Sequence, residues 1–225
     1  MSITREQTLA VWAELSKSYK CHPIMGEDGS PTGRWMTGPV RIAFPALFSP
    51  KVDKESGKTA YGGTLLFEPG ADIEPLKAAV RETAVAKWPG ITPAQLQLPF
   101  ADQALKAAHS PQYAKTFTTG VYLNASTQFA PAILLPNGDV VATDSKAFYA
   151  GMICRVKLNA YAWEFKGKRG VSFGMIALQK LADGERWGGA GEATSGFGPV
   201  AGVAGNPMSN GAAGPASAPN PNVGW

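Results

Sequence analysis

Histidine and cysteine are almost missing from this sequence. Two histidines, His22 and His109, and two cysteines, Cys21 and Cys154, stand among 225 residues. So few soft ligands exclude a disulfide framework, and no C-x-x-C spacing offers a metal site. The four residues together are a poor zinc tetrad, because Cys21 and His22 are adjacent and neighbouring side chains rarely converge on one ion. No G-x-x-x-x-G-K-[ST] motif occurs, which removes an ATP-driven motor. No apolar run approaches the ~18 residues that span a bilayer. The opening stretch, MSITREQTLAVWAELSKSYK, has no apolar leader segment. These absences lead to the expectation of a soluble protein in a reducing cytoplasm, with no cofactor, no metal and no membrane partner. Charge is scarce as well. Asp, Glu, Lys and Arg make up 17% of the chain, against roughly 25% in soluble domains. The balance is +4, a mild excess that suits an anionic partner.

Elements of secondary structure can be read from what is present. Thr4 and Gln7 have capping-box spacing, and Leu9, Trp12 and Leu15 recur at helical intervals, predicting a helix over 4–18. Residues 21–39 are rich in turn formers and read as a loop. VRIAFPALF (40–48) and TAYGGTLLF (59–67) read as strands, with Pro45 marking an edge or bulge and Gly62-Gly63 a bend. Residues 72–90 read as a helix capped by Asp72 or Glu74, with Leu76, Ala79, Val80, Thr83 and Ala84 as its buried stripe. Residues 91–118 look irregular, apart from a helical turn near 103–108. Segments 120–127, 129–135, 139–143, 151–165 and 170–182 complete the strands. Helices do not alternate with strands, so the expected fold is β-rich: a curved sheet or partly open barrel with an inserted helix. From Gly188 the composition changes. Gly, Ala, Pro, Ser and Asn dominate and Glu192 is the only charged side chain, a composition expected to stay disordered. The division expected is an N-terminal extension (1–35), a folded domain (36–187) and a tail (188–225).

The strand GMICRVKLNAYAWEF (151–165) carries the functional signal. Its even positions, from Met152 to Ala162, are apolar. Its odd positions include Arg155, Lys157, Tyr161, Trp163 and Phe165, with Lys166, Lys168 and Arg169 just beyond. Strand side chains alternate between faces, and large rings on an outward row mark a contact site. Single-stranded nucleic acid supplies phosphates for such cations and free base faces for such rings, with stacking worth roughly 1–3 kcal/mol per base. The competing reading buries both faces, although buried cations need partners. Arg41, Tyr61 and Tyr122 lie on polar strand positions that could join the same surface.

Two further stretches sharpen this reading. RGVSFGMIALQKLADGERWGG, through Gly170, Val171, Ser172, Gln179, Lys180, Asp183, Gly184 and Glu185, resembles the C-terminal signature of a bacteriophage single-stranded DNA-binding protein family. FYAGMICRVKLNAYAW looks like the same family's Y-A-G-x-x-x-R-V strand, through Tyr149, Ala150, Gly151, Arg155 and Val156. The resemblance covers roughly residues 38–188. It implies an OB fold (oligonucleotide-binding barrel) and sequence-independent binding of single-stranded DNA in replication or recombination. The first 35 residues have no counterpart, and the tail lacks the acidic run by which many such proteins recruit partners. It ends instead in NPNVGW, where Trp225 could anchor a replication or recombination protein. Two alternatives stay open. A metal-dependent nuclease needs clustered carboxylates. Asp139 with Asp144, and Asp183 with Glu185, are the pairs available, although the second reads as a tight turn around Gly184. A phage structural or scaffolding protein would suit the tail but leaves the cation–aromatic row without a purpose.

Overall fold

The structure, a computed structural model, describes residues 3–52, 57–141, 143 and 146–188, all within one compact unit. The tail after Gly188 and the carboxylate Asp144 lie outside the described residues.

Helix α1 (Arg5–Ser18) starts at the expected capping box: the Thr4 hydroxyl accepts from the Gln7 N–H at 3.2 Å, and Gln7 Oε1 accepts from the Thr4 N–H at 2.9 Å. The segment expected to be a loop instead forms a hairpin of β1 (His22–Met25) and β2 (Pro31–Met36). Its turn formers sit at the tip, where Asp28 Oδ1 accepts from the Ser30 N–H at 3.0 Å. The glycines marked the turn and concealed the short strands beside it.

Strands β3 (Val40–Val52) and β4 (Thr59–Phe67) pair antiparallel, and α2 (Glu74–Lys87) follows. Leu76, Ala79, Val80 and Ala84 are its buried stripe, and Asp72 Oδ1 accepts from the Glu74 N–H at 3.0 Å. The region read as irregular contains two very short strands, β5 (Leu96–Gln97) and β6 (Phe100–Asp102), and then α3 (Gln103–His109). Strand β7 (Val121–Thr127) precedes β8 (Ala132–Leu134), β9 (Ile153–Phe165) and β10 (Lys168–Ala182). Of the strand expected at 139–143, the described residues form one isolated bridge, Leu134 to Val140. Across the PNG turn the Leu135 N–H donates to the Asp139 carbonyl at 2.9 Å and the Val141 N–H to the Ile133 carbonyl at 2.8 Å.

Five of these strands close on themselves. β3 pairs with β4, β4 with β7, β7 with β10, β10 with β9, and β9 again with β3. Counting barrel strands along the chain, the ring runs first, second, third, fifth, fourth. The third–fifth contact is parallel and rests on one pair, Phe173 with Ala125. This is a partly closed OB-type barrel. The hairpin continues the sheet outward from β9, with Arg34 opposite Asn159. Residues His22–Met25 and Pro31–Met36 are therefore part of the same sheet.

The barrel interior holds Val40, Ile42, Leu65, Phe67, Leu123, Val156, Leu158 and Phe173, and α2 contributes Leu76 and Val80. Each such side chain, fully buried, contributes about 1.5–3 kcal/mol. A smaller cluster of Ala43, Leu66 and Phe117 packs with Tyr113, Tyr122 and Trp187. Two backbone features shape the surface. Gly62 has φ +137°, and a Cβ there would stand 2.1 Å from the Ala125 carbonyl oxygen, so only glycine lets β4 approach β7 this closely. Phe44 has φ +50° within a break in β3–β4 register between Ala43 and Ala46. A non-glycine residue in that region costs on the order of 1–3 kcal/mol.

Candidate nucleic-acid interface

The odd row of β9 changes character along its length. Ile153 is fully buried. Arg155 is half-buried: its Nε donates to Gln179 Oε1 at 2.8 Å, and its guanidinium lies 5.0 Å from the Tyr19 ring centroid. Lys157 is also half-buried, opposite Met36 and Ala177. Beyond them the row opens. Tyr161 is 41% exposed and Phe165 66%. Trp163 lies between the two but lies down on the sheet. Its Nε1 donates to Ser172 Oγ at 2.9 Å, and its indole covers Gly170, where a Cβ would come within 2.5 Å of the ring. The hairpin tip carries Lys166 5.3 Å from the Phe165 ring, exposed Lys168, and Arg169 between Glu164 at 3.3 Å and the Trp88 ring at 5.7 Å.

Tyr161 opens onto a cleft of about 900 Å³. β2 contributes Arg34, the residue before β4 is Lys58, and the end of β7 contributes Ser126 and Thr127. The following loop contributes Phe129, which is 81% exposed. Asn159 and Gly174 form part of the wall. A second cleft of about 470 Å³ adjoins it, with Lys58, Ala60 and Ser126 common to both, and with Phe44, Lys51, Tyr61 and Asn124 in its own lining. Among the described residues, the charged side chains lining the two clefts are the cations Arg34, Lys51 and Lys58. The strand pair β4–β7, which carries Tyr61, Asn124, Ser126 and Thr127 of these linings, corresponds to the strand 2–strand 3 face of an OB fold, the face on which OB folds bind oligonucleotides.

Two expected contacts lie elsewhere. Arg41 is fully buried, with Nε donating to Glu68 Oε1 at 2.6 Å and the Trp187 ring 4.4 Å above its guanidinium. It faces no open surface. Polar alternation on β3 had placed it outward, but that outer face is covered by Trp187. Burial pulls its pKa down and the Glu68 charge opposes the fall. Tyr122 does share a face with Asn124, yet Phe117 covers it edge-on, with ring centroids 5.1 Å apart. Tyr61 lies at the rim of the second cleft, half-buried. Arg34, Lys58, Phe44 and Phe129 were missed. Phe129 had a signal: Pro131, two residues on, marks a loop rather than a strand.

The Asp183-Gly184-Glu185 segment forms no tight turn. Tyr149 Oη donates to Asp183 Oδ1 at 2.7 Å and accepts from the Gly184 N–H at 3.1 Å, while the Glu185 N–H donates to Thr8 Oγ1 at 2.7 Å. These tethers hold the chain extended across the barrel. The Lys180 ammonium, 2.7 Å from Asp183, keeps that carboxyl below its ordinary pKa. Among the described residues no group of three His, Cys, Asp or Glu side chains could hold a metal ion. No described helix is long and apolar enough to cross a membrane.

Among curated proteins, none matches this sequence. Solved structures do match. The single-stranded DNA-binding protein of bacteriophage Enc34 in complex with ssDNA is similar with a TM-score of 0.61 and 17% identity, covering 70% of this chain and 90% of that one. Another structure of the Enc34 protein gives a TM-score of 0.58 at 17% identity, over 76% and 94% of the two chains. At such identity the likeness establishes the fold. The family model described as the ssDNA-binding protein of Enterobacter phage Enc34 matches residues 34–206, well over half of the sequence, and the chain belongs to that family.

Proposed function

We infer that this protein binds single-stranded DNA without reading its sequence. It coats the intermediates of phage DNA replication or recombination in the cytoplasm of the bacterial host. The observation that carries the reading is the larger cleft, where exposed Tyr161 and Phe129 stand beside Arg34 and Lys58, the charged side chains among the described residues of its lining. Rings accept bases by stacking and cations accept phosphates, a combination tolerant of sequence. Phe165, Lys166, Lys168 and Arg169 extend the surface at the β9–β10 tip, with Trp163 fixed beside them. Arg155 and Lys157 stand further back on the same row and add positive potential. The Enc34 protein, which shares the fold and is solved in complex with ssDNA, supports this reading. No chemistry on the strand is part of it. Trp225 remains the proposed anchor for a replication or recombination protein.

Titration of intrinsic tryptophan fluorescence with oligo-dT at several salt concentrations tests the reading. Binding should be tight at low salt and weaken steeply as condensed counterions return to the DNA, with duplex of the same length a poor competitor. Equal affinity for duplex and single strand at every salt concentration would overturn it. Shortening of a labelled oligonucleotide when Mg²⁺ is added would favour the nuclease instead.

A further inference from the structure

Phe44 combines three costs. Its backbone is left-handed, at φ +50°. The next residue is Pro45, whose ring disfavours compact backbone conformations in the residue before it. Its side chain is 46% exposed. A strained backbone that presents an apolar ring to solvent is a poor way to stabilise a fold, and such outliers cluster where ligands bind. The ring is held from behind: Tyr113 meets it edge-on at 5.2 Å and Phe117 lies 6.2 Å away. Its other side lines the second cleft, together with Tyr61 and Lys51.

We propose that a strand bound in the larger cleft continues over the shared wall of Lys58, Ala60 and Ser126 into the second cleft, where Phe44 stacks a base. Tyr61 offers the neighbouring ring and Lys51 meets the backbone phosphate. The bulge at Ala43–Ala46 turns the ring out of the β3 ladder, and Tyr113 and Phe117 stop it from folding back. The proposal rests on the reading of the larger cleft as a single-strand site and adds a second subsite to it. Continuity of the two clefts, and the cations Arg34, Lys58 and Lys51 spread along their described linings, favour one polyanion across both.

The test uses the full chain and two oligo-dT lengths, about 5 and about 15 nucleotides, near the ends of the range covered by one OB fold. The shorter can seat wholly in the larger cleft; the longer must reach the second. Phe44→Gly relieves the backbone strain and removes the ring. It should lower affinity for the longer oligonucleotide by about 5- to 150-fold, the equivalent of one lost stack, and leave the shorter within about twofold. Phe44→Tyr should keep the length dependence of the parent protein. Unchanged affinity of Phe44→Gly for the longer oligonucleotide, or equal losses at both lengths, would assign the ring a structural role and overturn the proposal. Failure of the parent protein to bind either oligonucleotide would instead remove the reading of the larger cleft.

Discussion

Arg41 and Glu68 meet at 2.6 Å with 0% and 2% of their side chains exposed, and Arg5 reaches the other Glu68 oxygen at 4.0 Å. Removing one member of a buried pair leaves an uncompensated charge, which costs about 3–5 kcal/mol. Arg41→Met should fall near the lower end, because Arg5 remains. At about 2–4 °C per kcal/mol for a chain of this size, the melting temperature should drop by roughly 6–12 °C. The double variant Arg41→Met/Glu68→Leu should recover most of the loss. Oligonucleotide affinity of the folded protein should not move. A weakened affinity with the melting temperature intact would return Arg41 to the interface.

Tyr161 and Trp163 are two residues apart on one strand face, yet they should respond differently. Tyr161→Ala removes an exposed ring from the cleft wall, and should weaken oligo-dT binding by roughly 1–3 kcal/mol with little change in melting temperature. Trp163 is bonded to Ser172 and seated on Gly170. Trp163→Ala should therefore lower stability as well as affinity. Gly170→Ala should displace the indole and shift the tryptophan emission spectrum. An unshifted spectrum would mean that the ring does not rest on that glycine.

The physics of alternation explains how much of this was legible. Period-two patterning located β3, β4, β7, β9 and β10, and with them the barrel. Capping chemistry located α1. The same patterning identified the β9 row but could not tell which part of it was open, since Tyr19 and Gln179, distant in sequence, occupy Arg155. Arg41 looked like a surface cation because its cover, Trp187, comes from the far end of the domain. The family-like residues also divide in a way that spacing cannot reveal. Gly170 and Ser172 seat Trp163, whereas Asp183, Gly184 and Glu185 fasten the segment after β10 to Tyr149 and to α1. Phe44 was unreadable for the opposite reason: it departs from its strand's own backbone pattern.

Cation contributions should be separable by salt. Arg34→Gln and Lys168→Gln should each reduce the slope of log affinity against log salt by about one unit if each neutralises one phosphate. Arg155→Gln should reduce it by less, since that guanidinium is held by Gln179 and Tyr19. A full unit lost at Arg155 and none at Arg34 would move the strand's path toward the covered end of β9.

Both cysteines are buried free thiols. Desolvation raises Cys21 to about 11 and pushes Cys154 higher still. The thiolate is the reactive form, and it is scarce until pH approaches these raised values. At pH 8 the native protein should therefore show almost no reaction with a disulfide reagent, and both thiols should react once it is denatured. Rapid native reaction of one thiol would show that its cover opens readily.

The segment Asp183–Trp187 joins the two ends of the folded unit. The Glu185 N–H donates to Thr8 on α1, the Trp187 N–H to the Ala150 carbonyl at 2.9 Å, and the Arg186 guanidinium lies 3.7 Å from the Tyr149 ring centroid. Two truncations should therefore part company. Ending the chain after Gly188 removes a sequence whose only charged side chain is Glu192. It should leave melting temperature and oligonucleotide affinity nearly unchanged, within about 0.5 kcal/mol. Ending it after Ala182 removes the tethers of α1, the Trp187 cover of Arg41 and the Asp183 partner of Lys180. The loss should exceed that of the Tyr161 substitution in stability and appear as early amide exchange in α1. Acid should mimic part of it. The Asp183 carboxyl is held below its ordinary value, so its contribution is present above that value and lost as pH falls through the lowered one. Amide exchange in α1 should then accelerate only below about pH 4, the ordinary aspartate range. Equal melting temperatures for the two truncations would show that α1 docks without the segment, and that its hydrogen bonds with Thr8 and Ala150 are incidental to the fold.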